Sequence, residues 1–223
     1  MPHVLITGAS DGIGRALVNV YAEQGWAITA TGRRPREALE NPMTCPYVPC
    51  DLTEDMAPVL DALPPRLDLA ILNAGLGKVG PPEAHSAEDI AQMIALNVTA
   101  PLLLAQKLMP RMEGGAMAFI GSTAARGAHR DFSVYAATKA ALAGATRSLA
   151  LEWQGRVQVL TLHPGPTATG MHDKAGLGNL AARRLFTAPD IVAETLAGAI
   201  ARGKNRRLGP GYMLRHALRG ARR

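Results

Sequence analysis

Apolar residues gather in short unbroken runs at 3–7, 26–31, 46–50, 67–72, 116–121 and 157–163. Between them they recur every three to four positions, over roughly 13–24, 53–62, 86–112, 133–153 and 188–202. The runs predict strands and the periodic stretches helices. Leu69-Ala70-Ile71-Leu72 carries no polar alternation, as expected of a strand covered on both faces. Strand and helix alternate from end to end without an internal repeat or low-complexity linker. That order predicts right-handed βαβ units and one α/β domain, a doubly wound parallel sheet between two helical layers.

Composition narrows this picture. A chain of 223 residues can bury a large core in one domain. No segment reads as the roughly 20 consecutive apolar residues that a membrane span needs. The N-terminus runs directly into a predicted strand, so no signal peptide is expected. Cys45 and Cys50 are too few for a disulfide framework or a four-ligand zinc site, and no H-x-x-H or acidic cluster suggests a metal. A cytoplasmic location is expected.

Charge is unevenly placed. Residues 202–223 carry eight Lys and Arg and no carboxylate, which leaves about −2 for residues 1–201 out of a formal +6. The body is therefore not basic, and no nucleic-acid partner is expected. Domain and tail are divided at residues 1–211 and 212–223. In the tail, Leu214 and Leu218 share one face of a short helical pattern, and Arg215 and Arg219 another. It packs on the body or a sister subunit, meets an anionic membrane surface, or stays disordered. Packing is the favoured reading.

Chemistry-bearing residues follow the strands, where ligands sit in this architecture. The first strand runs into Thr7-Gly8-Ala9-Ser10-Asp11-Gly12-Ile13-Gly14. Glycines here allow a sharp turn and let a pyrophosphate approach the amides of a helix N-terminus, while Ser10 and Asp11 are candidate caps. Further along stand Asn73-Ala74-Gly75, then Asn97 in Leu-Asn-Val-Thr, then Ser122 in Ile-Gly-Ser-Thr. Tyr135-Ala136-Ala137-Thr138-Lys139 comes thirteen residues after Ser122, and Pro164-Gly165-Pro166-Thr167-Ala168-Thr169 closes the series.

In this order and spacing, across residues 7 to 169, the motifs resemble those of the short-chain dehydrogenase/reductase family. The resemblance implies a Rossmann fold and hydride transfer between a nicotinamide dinucleotide and a carbonyl/alcohol pair. It implies Asn97, Ser122, Tyr135 and Lys139 as the catalytic set. Tyr135 is then the acid/base, Ser122 a donor to the substrate oxygen, and Asn97 a link between Lys139 and a proton relay. Tyr135 and Lys139 are four apart and share a helix face. An ammonium there is expected to lower the phenol from its usual pKa of roughly 10.

Cofactor contacts are expected from Gly8, Ser10, Asp11, Gly12, Ile13 and Gly14, and from Asn73, Ala74 and Gly75. Tyr135, Lys139, Pro164, Gly165, Thr167 and Thr169 complete the nicotinamide side. Asp51, with Leu52, resembles the adenine contact, although Asp51 equally suits a helix cap. Where an NAD-preferring member carries an acid after the second strand, this chain has Gly32, followed by Arg33 and Arg34. Guanidinium groups suit a 2′-phosphate, so NADP(H) is favoured over NAD(H); Arg36 is a possible helper.

The segment from Met171 to Phe186 is expected to form a short, partly apolar lid, and His129, Arg130 and Phe132 are candidates to line the substrate pocket. His163 reads as a strand-end residue rather than a second base. Helices 86–112 and 133–153 resemble those that pair family subunits, so a homodimer or homotetramer is expected. Two rival readings stand beside the reductase. One is a redox sensor that binds dinucleotide without turnover. The other is a membrane-surface reductase of lipid-like ketones.

Overall fold

The computed structural model describes residues 1–169 and 186–207. Most of the lid segment and the whole tail, including the 211/212 boundary, lie outside them. Seven parallel strands form one sheet: β1 (His3–Thr7), β2 (Ala27–Gly32), β3 (Tyr47–Pro49), β4 (Leu69–Leu72), β5 (Ala116–Ile120), β6 (Gln158–His163) and β7 (Arg206–Arg207). Their order is β3-β2-β1-β4-β5-β6-β7, with the reversal between β1 and β4 that opens a crevice at the carboxyl ends. The six apolar runs became strands. The seventh is two arginines long and has no apolar run to announce it.

Alternation of side chains across the sheet builds two cores. Val4, Ile6, Leu69 and Ile71 point to the layer of α1 (Gly12–Glu23) and α6 (Pro189–Ala201), meeting Leu17, Val192 and Leu196. Leu5, Ala70, Leu72, Met117 and Phe119 point the other way, onto Leu104, Leu108 and Leu142. Those last residues belong to α4 (Ala100–Leu108) and α5 (Ser133–Glu152). Two buried faces per strand explain the unbroken apolar runs. Truncating a core residue such as the fully buried Leu104 to Ala would cost about 2–5 kcal/mol.

Helix α1 begins at Asp11, whose carboxylate accepts from Gly12 N at 2.6 Å. It ends in a Schellman turn in which Gly25, at φ 74, and Trp26 donate to the carbonyls of Ala22 and Tyr21. The Tyr21 and Trp26 rings then meet edge to face at 5.2 Å, clasping the helix end.

Two helices differ from the sequence expectation. The pattern at 53–62 gives only α2 (Ala57–Asp61). Asp51 first holds a side-chain turn on Thr53, and Pro58, without an N–H, belongs in a first helical turn. The pattern at 86–112 splits into α3 (Ala87–Ile94), a π-turn over Ala95–Thr99, then α4 and a final 3₁₀ turn at Met109–Arg111. Pro101 has no N–H to give the carbonyl of Asn97, its α-helical partner four residues back. The helix widens instead, with Ala100 N donating to Ala95 O. Counted as one helical stretch, Ala87–Arg111 reaches 25 residues at a mean hydropathy of 1.2 in its most apolar window. That corrects the expectation that no segment reaches membrane-spanning length, and its buried side chains Met93, Leu104 and Leu108 pack in the protein core.

Candidate active site

Every strand from β1 to β6 delivers a predicted residue to one groove along the carboxyl edge. At the end of β1, Gly8 and Gly12 adopt φ 66 and 53, conformations that favour glycine. Gly8 sits where a Cβ would lie 2.8 Å from the Ala74 backbone. Gly14 lies one step inside the helix and does not face the groove. A Cβ on it would stand 2.2 Å from the carbonyl oxygen of Gly8, so Gly14 lets α1 approach β1. Ser10, Asp11, Gly12 and Ile13 wall the groove opposite Ala74 and Gly75.

Asn73 lines the same groove, but its amide is committed to the fold. Its Nδ2 donates to Thr7 O at 3.0 Å, while Thr7 Oγ1 accepts from the backbone N–H groups of Asn73 and Ala74. This clasp ties β1 to β4 at the crevice. Thr7 opens the glycine motif in the sequence, but spacing does not show that its hydroxyl joins β1 to the loop after β4.

Toward β2 the groove opens into a cavity of about 460 Å³ walled in part by Gly32, Arg33, Arg34, Asp51 and Leu52. A Cβ at position 32 would press on the ends of two side chains, 2.9 Å from the Tyr47 hydroxyl and 3.0 Å from Ser10 Oγ. Arg34 turns inward, donating to Ser10 O at 2.6 Å beside Asp11 at 3.8 Å. Arg33 is mostly exposed, with Asp51 4.0 Å away. Burial alone would push Asp51 up, but hydrogen bonds from Thr53 and the Arg33 guanidinium outweigh it and hold its carboxyl below the usual range. Asp51 thus forms a turn cap and lines the cavity. Arg36 donates to Met43 O and braces its own loop instead of the groove.

At the other end lies a cavity of about 340 Å³ around Ser122, Tyr135 and Lys139. Pro164, Gly165, Thr167 and Thr169 form its side next to β6. Ser122 Oγ accepts from Ala124 N at 3.1 Å and shares a hydrogen bond with Tyr135. Lys139, only 3% exposed, donates from Nζ to Ile120 O at 3.1 Å and sits 5.8 Å from the centre of the Tyr135 ring. Desolvation lowers its pKa to about 8. For Tyr135, burial raises the phenol and the Ser122 hydrogen bond offsets only part of that. This is a correction: Lys139 was expected to bring the phenol down, but burial dominates. Tyr135 is held as a neutral phenol.

Asn97 does not line the cavity. It is fully buried on the π-turn, where Oδ1 accepts from Leu76 N at 2.9 Å and Nδ2 donates to Leu76 O and to Thr138 Oγ1. Gly75 separates it from Lys139; a Cβ there would be 3.0 Å from Asn97 Oδ1 and 3.3 Å from Lys139 Nζ. Asn97 therefore pins the loop after β4 to helix α5, one residue from the lysine. Thr138, inside Y-x-x-x-K, is the partner the motif alone does not reveal.

His163 is buried beneath the site, its Nδ1 3.0 Å from the backbone carbonyl of Ser122. It is a strand-end residue, as read from the sequence, with a positioning contact that spacing does not show. Phe132 and His129 reach the cavity, as does Phe186, whereas Arg130 is an exposed loop residue. The remaining lid residues, from Met171 to Leu185, lie outside the described region. Among the described residues no group of His, Cys, Asp or Glu could hold a metal ion.

The family model described as short chain dehydrogenase matches residues 2–180. The chain belongs to that family of oxidoreductases. It is similar to the D-threitol dehydrogenase of Mycolicibacterium smegmatis, 30% identical over 212 residues, covering 85% of this chain and 82% of that protein. Among solved structures, a short-chain dehydrogenase from Sphingobium yanoikuyae in complex with NADPH matches with a TM-score of 0.81 at 28% identity, over 100% of this chain and 93% of that one. The 3-ketoacyl-(acyl-carrier-protein) reductase from Brucella melitensis, complexed with NADH, matches at 0.77 and 25%, over 89% and 90%.

Proposed function

We propose that this chain is an NADP(H)-dependent reductase that interconverts a ketone or aldehyde with an alcohol, using Ser122, Tyr135, Lys139 and Asn97. The observation that carries the reading is Tyr135 held neutral beside Ser122 at the mouth of a groove with the glycine turn at its far end.

The groove suits a dinucleotide. Gly8, Gly12 and Gly75 line it without side chains, and the N-terminal end of α1 offers amides to a pyrophosphate. Preference for NADP(H) is supported by Arg33 and Arg34 beside position 32, which carries glycine where an acid would hold the ribose hydroxyls. When bound, the nicotinamide supplies the hydride.

The chain's own residues supply orientation and the proton. Ser122, its oxygen fixed by Ala124 N, turns its hydroxyl toward the substrate oxygen and stabilises negative charge developing there. Tyr135 gives its phenolic proton to that oxygen as the alcohol forms and takes it back in the reverse direction. Lys139, desolvated yet protonated near neutral pH, stabilises the resulting phenolate. Asn97 holds the Leu76 backbone and Thr138, which keeps the lysine's helix against the loop after β4.

Titrating the protein with NADPH and NADH, followed by nicotinamide fluorescence, tests the reading. Tighter binding of NADPH, weakened in Arg33→Ala, is the expected result. Preference for NADH would overturn the cofactor reading, and binding of neither would overturn the enzyme.

A further inference from the structure

The cavity at Tyr135 has a chemical character of its own. Its described walls beyond the catalytic group include Val79, Ala124, Phe132, Pro166 and Phe186. No carboxylate and no guanidinium line it among the described residues. Several of its polar side chains are already engaged: Lys139 with Ile120 O, Thr167 with Gly165 O, and Asn73 with Thr7 O. Among the described residues its one ammonium, Lys139, serves Ile120 O and the Tyr135 phenol, so a charged or polyhydroxylated substrate is left with Ser122, Thr123, His129 and Thr169 on a mainly apolar wall.

An aromatic series leads to the reacting position. The rings of His129 and Phe132 lie 6.4 Å apart at 74°, and those of Phe132 and Tyr135 lie 6.4 Å apart at 65°. Both are edge-to-face arrangements, so a planar group placed beside the Tyr135 hydroxyl finds an aromatic neighbour in Phe132.

Phe132 is also held firmly. The residue before it, Asp131, is the single non-glycine residue at positive φ among the described residues, at 66. Its carbonyl accepts from Gly80 N at 2.9 Å. That bond joins the Phe132 loop to the loop of Val79, two walls of the same cavity. Backbone strain of this kind persists only where the surroundings impose it.

We infer that the substrate is an uncharged, mainly apolar ketone or aldehyde with a ring beside its carbonyl, and that Phe132 selects it. This rests on the reductase reading above. Phe132 acts on specificity and takes no part in proton transfer.

The test uses the full chain with NADPH and four carbonyls: acetophenone, butanone, glyceraldehyde and pyruvate. Acetophenone is expected to exceed glyceraldehyde and pyruvate in kcat/KM by about 10- to 100-fold, the scale on which apolar pockets discriminate. Phe132→Ala is expected to lower kcat/KM for acetophenone about 10-fold, mainly through KM, while butanone changes by less than about 2-fold. Phe132→Leu, which keeps an apolar side chain at the helix start, is expected to show the same split and guards against a folding defect. A preference for glyceraldehyde or pyruvate, or an equal loss on every carbonyl in both variants, overturns the substrate class and leaves the reductase standing. NADPH binding with turnover of none of the four likewise overturns the substrate class, while binding of neither dinucleotide overturns the reductase itself.

Discussion

Lys139 donates from its buried Nζ to the backbone carbonyl of Ile120 at 3.1 Å, anchoring α5 on the last residue of β5. One neutral acceptor does not replace the water lost on burial, which is why the ammonium titrates near 8 rather than above 10. The unfolded chain holds that proton up to its usual pKa. Between pH 8 and 10 the unfolded state therefore keeps a proton on Lys139 that the folded state loses, and the Lys139 contribution to stability rises with pH in that window. Above 10 the raised phenol of Tyr135 reverses the sign. Urea unfolding at pH 7.5 and pH 9.5 checks this. Relative to Lys139→Met, the unmodified protein is expected to gain about 1–2 kcal/mol over that interval.

Removing the phenolic hydroxyl separates chemistry from binding. Tyr135→Phe keeps the ring against Phe132 and loses the proton donor, so kcat is expected to fall by about 10²- to 10⁴-fold. Dinucleotide affinity by fluorescence should stay within a few-fold. A variant that kept most of its activity would exclude Tyr135 as the acid and overturn the mechanism, whereas dinucleotide binding without turnover in the unmodified protein would fit the redox sensor.

Asn97 gives a prediction read in stability. Asn97→Ala leaves the half-buried N–H and carbonyl of Leu76 without their side-chain partners, at an expected cost of about 1–3 kcal/mol in thermal or urea unfolding. Thr138→Val removes only the bond at 3.0 Å to Asn97 and its own bond to Tyr135 O. It is expected to cost about 1 kcal/mol.

Two glycines, Gly14 in the first turn of α1 and Gly32 at the end of β2, should behave differently. Gly14→Ala places a Cβ 2.2 Å from backbone, which cannot move aside, and is expected to destabilise by about 3 kcal/mol and abolish dinucleotide binding. Gly32→Asp meets the ends of two side chains, Tyr47 and Ser10. Alone it is expected to cost about 1 kcal/mol without a gain in NADH affinity, and Tyr47→Phe in the same chain should recover part of the loss. Calorimetric melting and NADH titration of the two variants and the pair decide this.

How much of this could be read beforehand depends on the kind of signal. Strands buried on both faces announce themselves by apolar runs, so β1 to β6 were legible, whereas Arg206–Arg207 joins the sheet only because β6 presents an edge to it. Residues in fixed motifs, such as Ser122, Tyr135 and Lys139, were legible and meet as expected. Roles set by long-range packing were not. Gly14 touches Gly8 instead of facing the groove, Arg36 braces Met43, and His163 contacts Ser122 from 41 residues away. The direction of the Tyr135 shift was also hidden, because spacing shows that a lysine is near but not how deeply both groups are buried.

The π-turn at Ala95–Thr99 has one more consequence. An α-helix advances about 100° per residue, so a single added residue rotates everything beyond it by that amount relative to everything before. Met93 upstream and Leu104 downstream both face the interior with nothing exposed, and Asn97 is aimed at Leu76 between them. The turn works as a phase shifter in a 25-residue rod. Deleting one residue there would leave composition and hydropathy almost untouched, yet would set one half of the rod out of step with its neighbours. This stretch of chain should therefore tolerate exchange of its side chains far better than any change in its length.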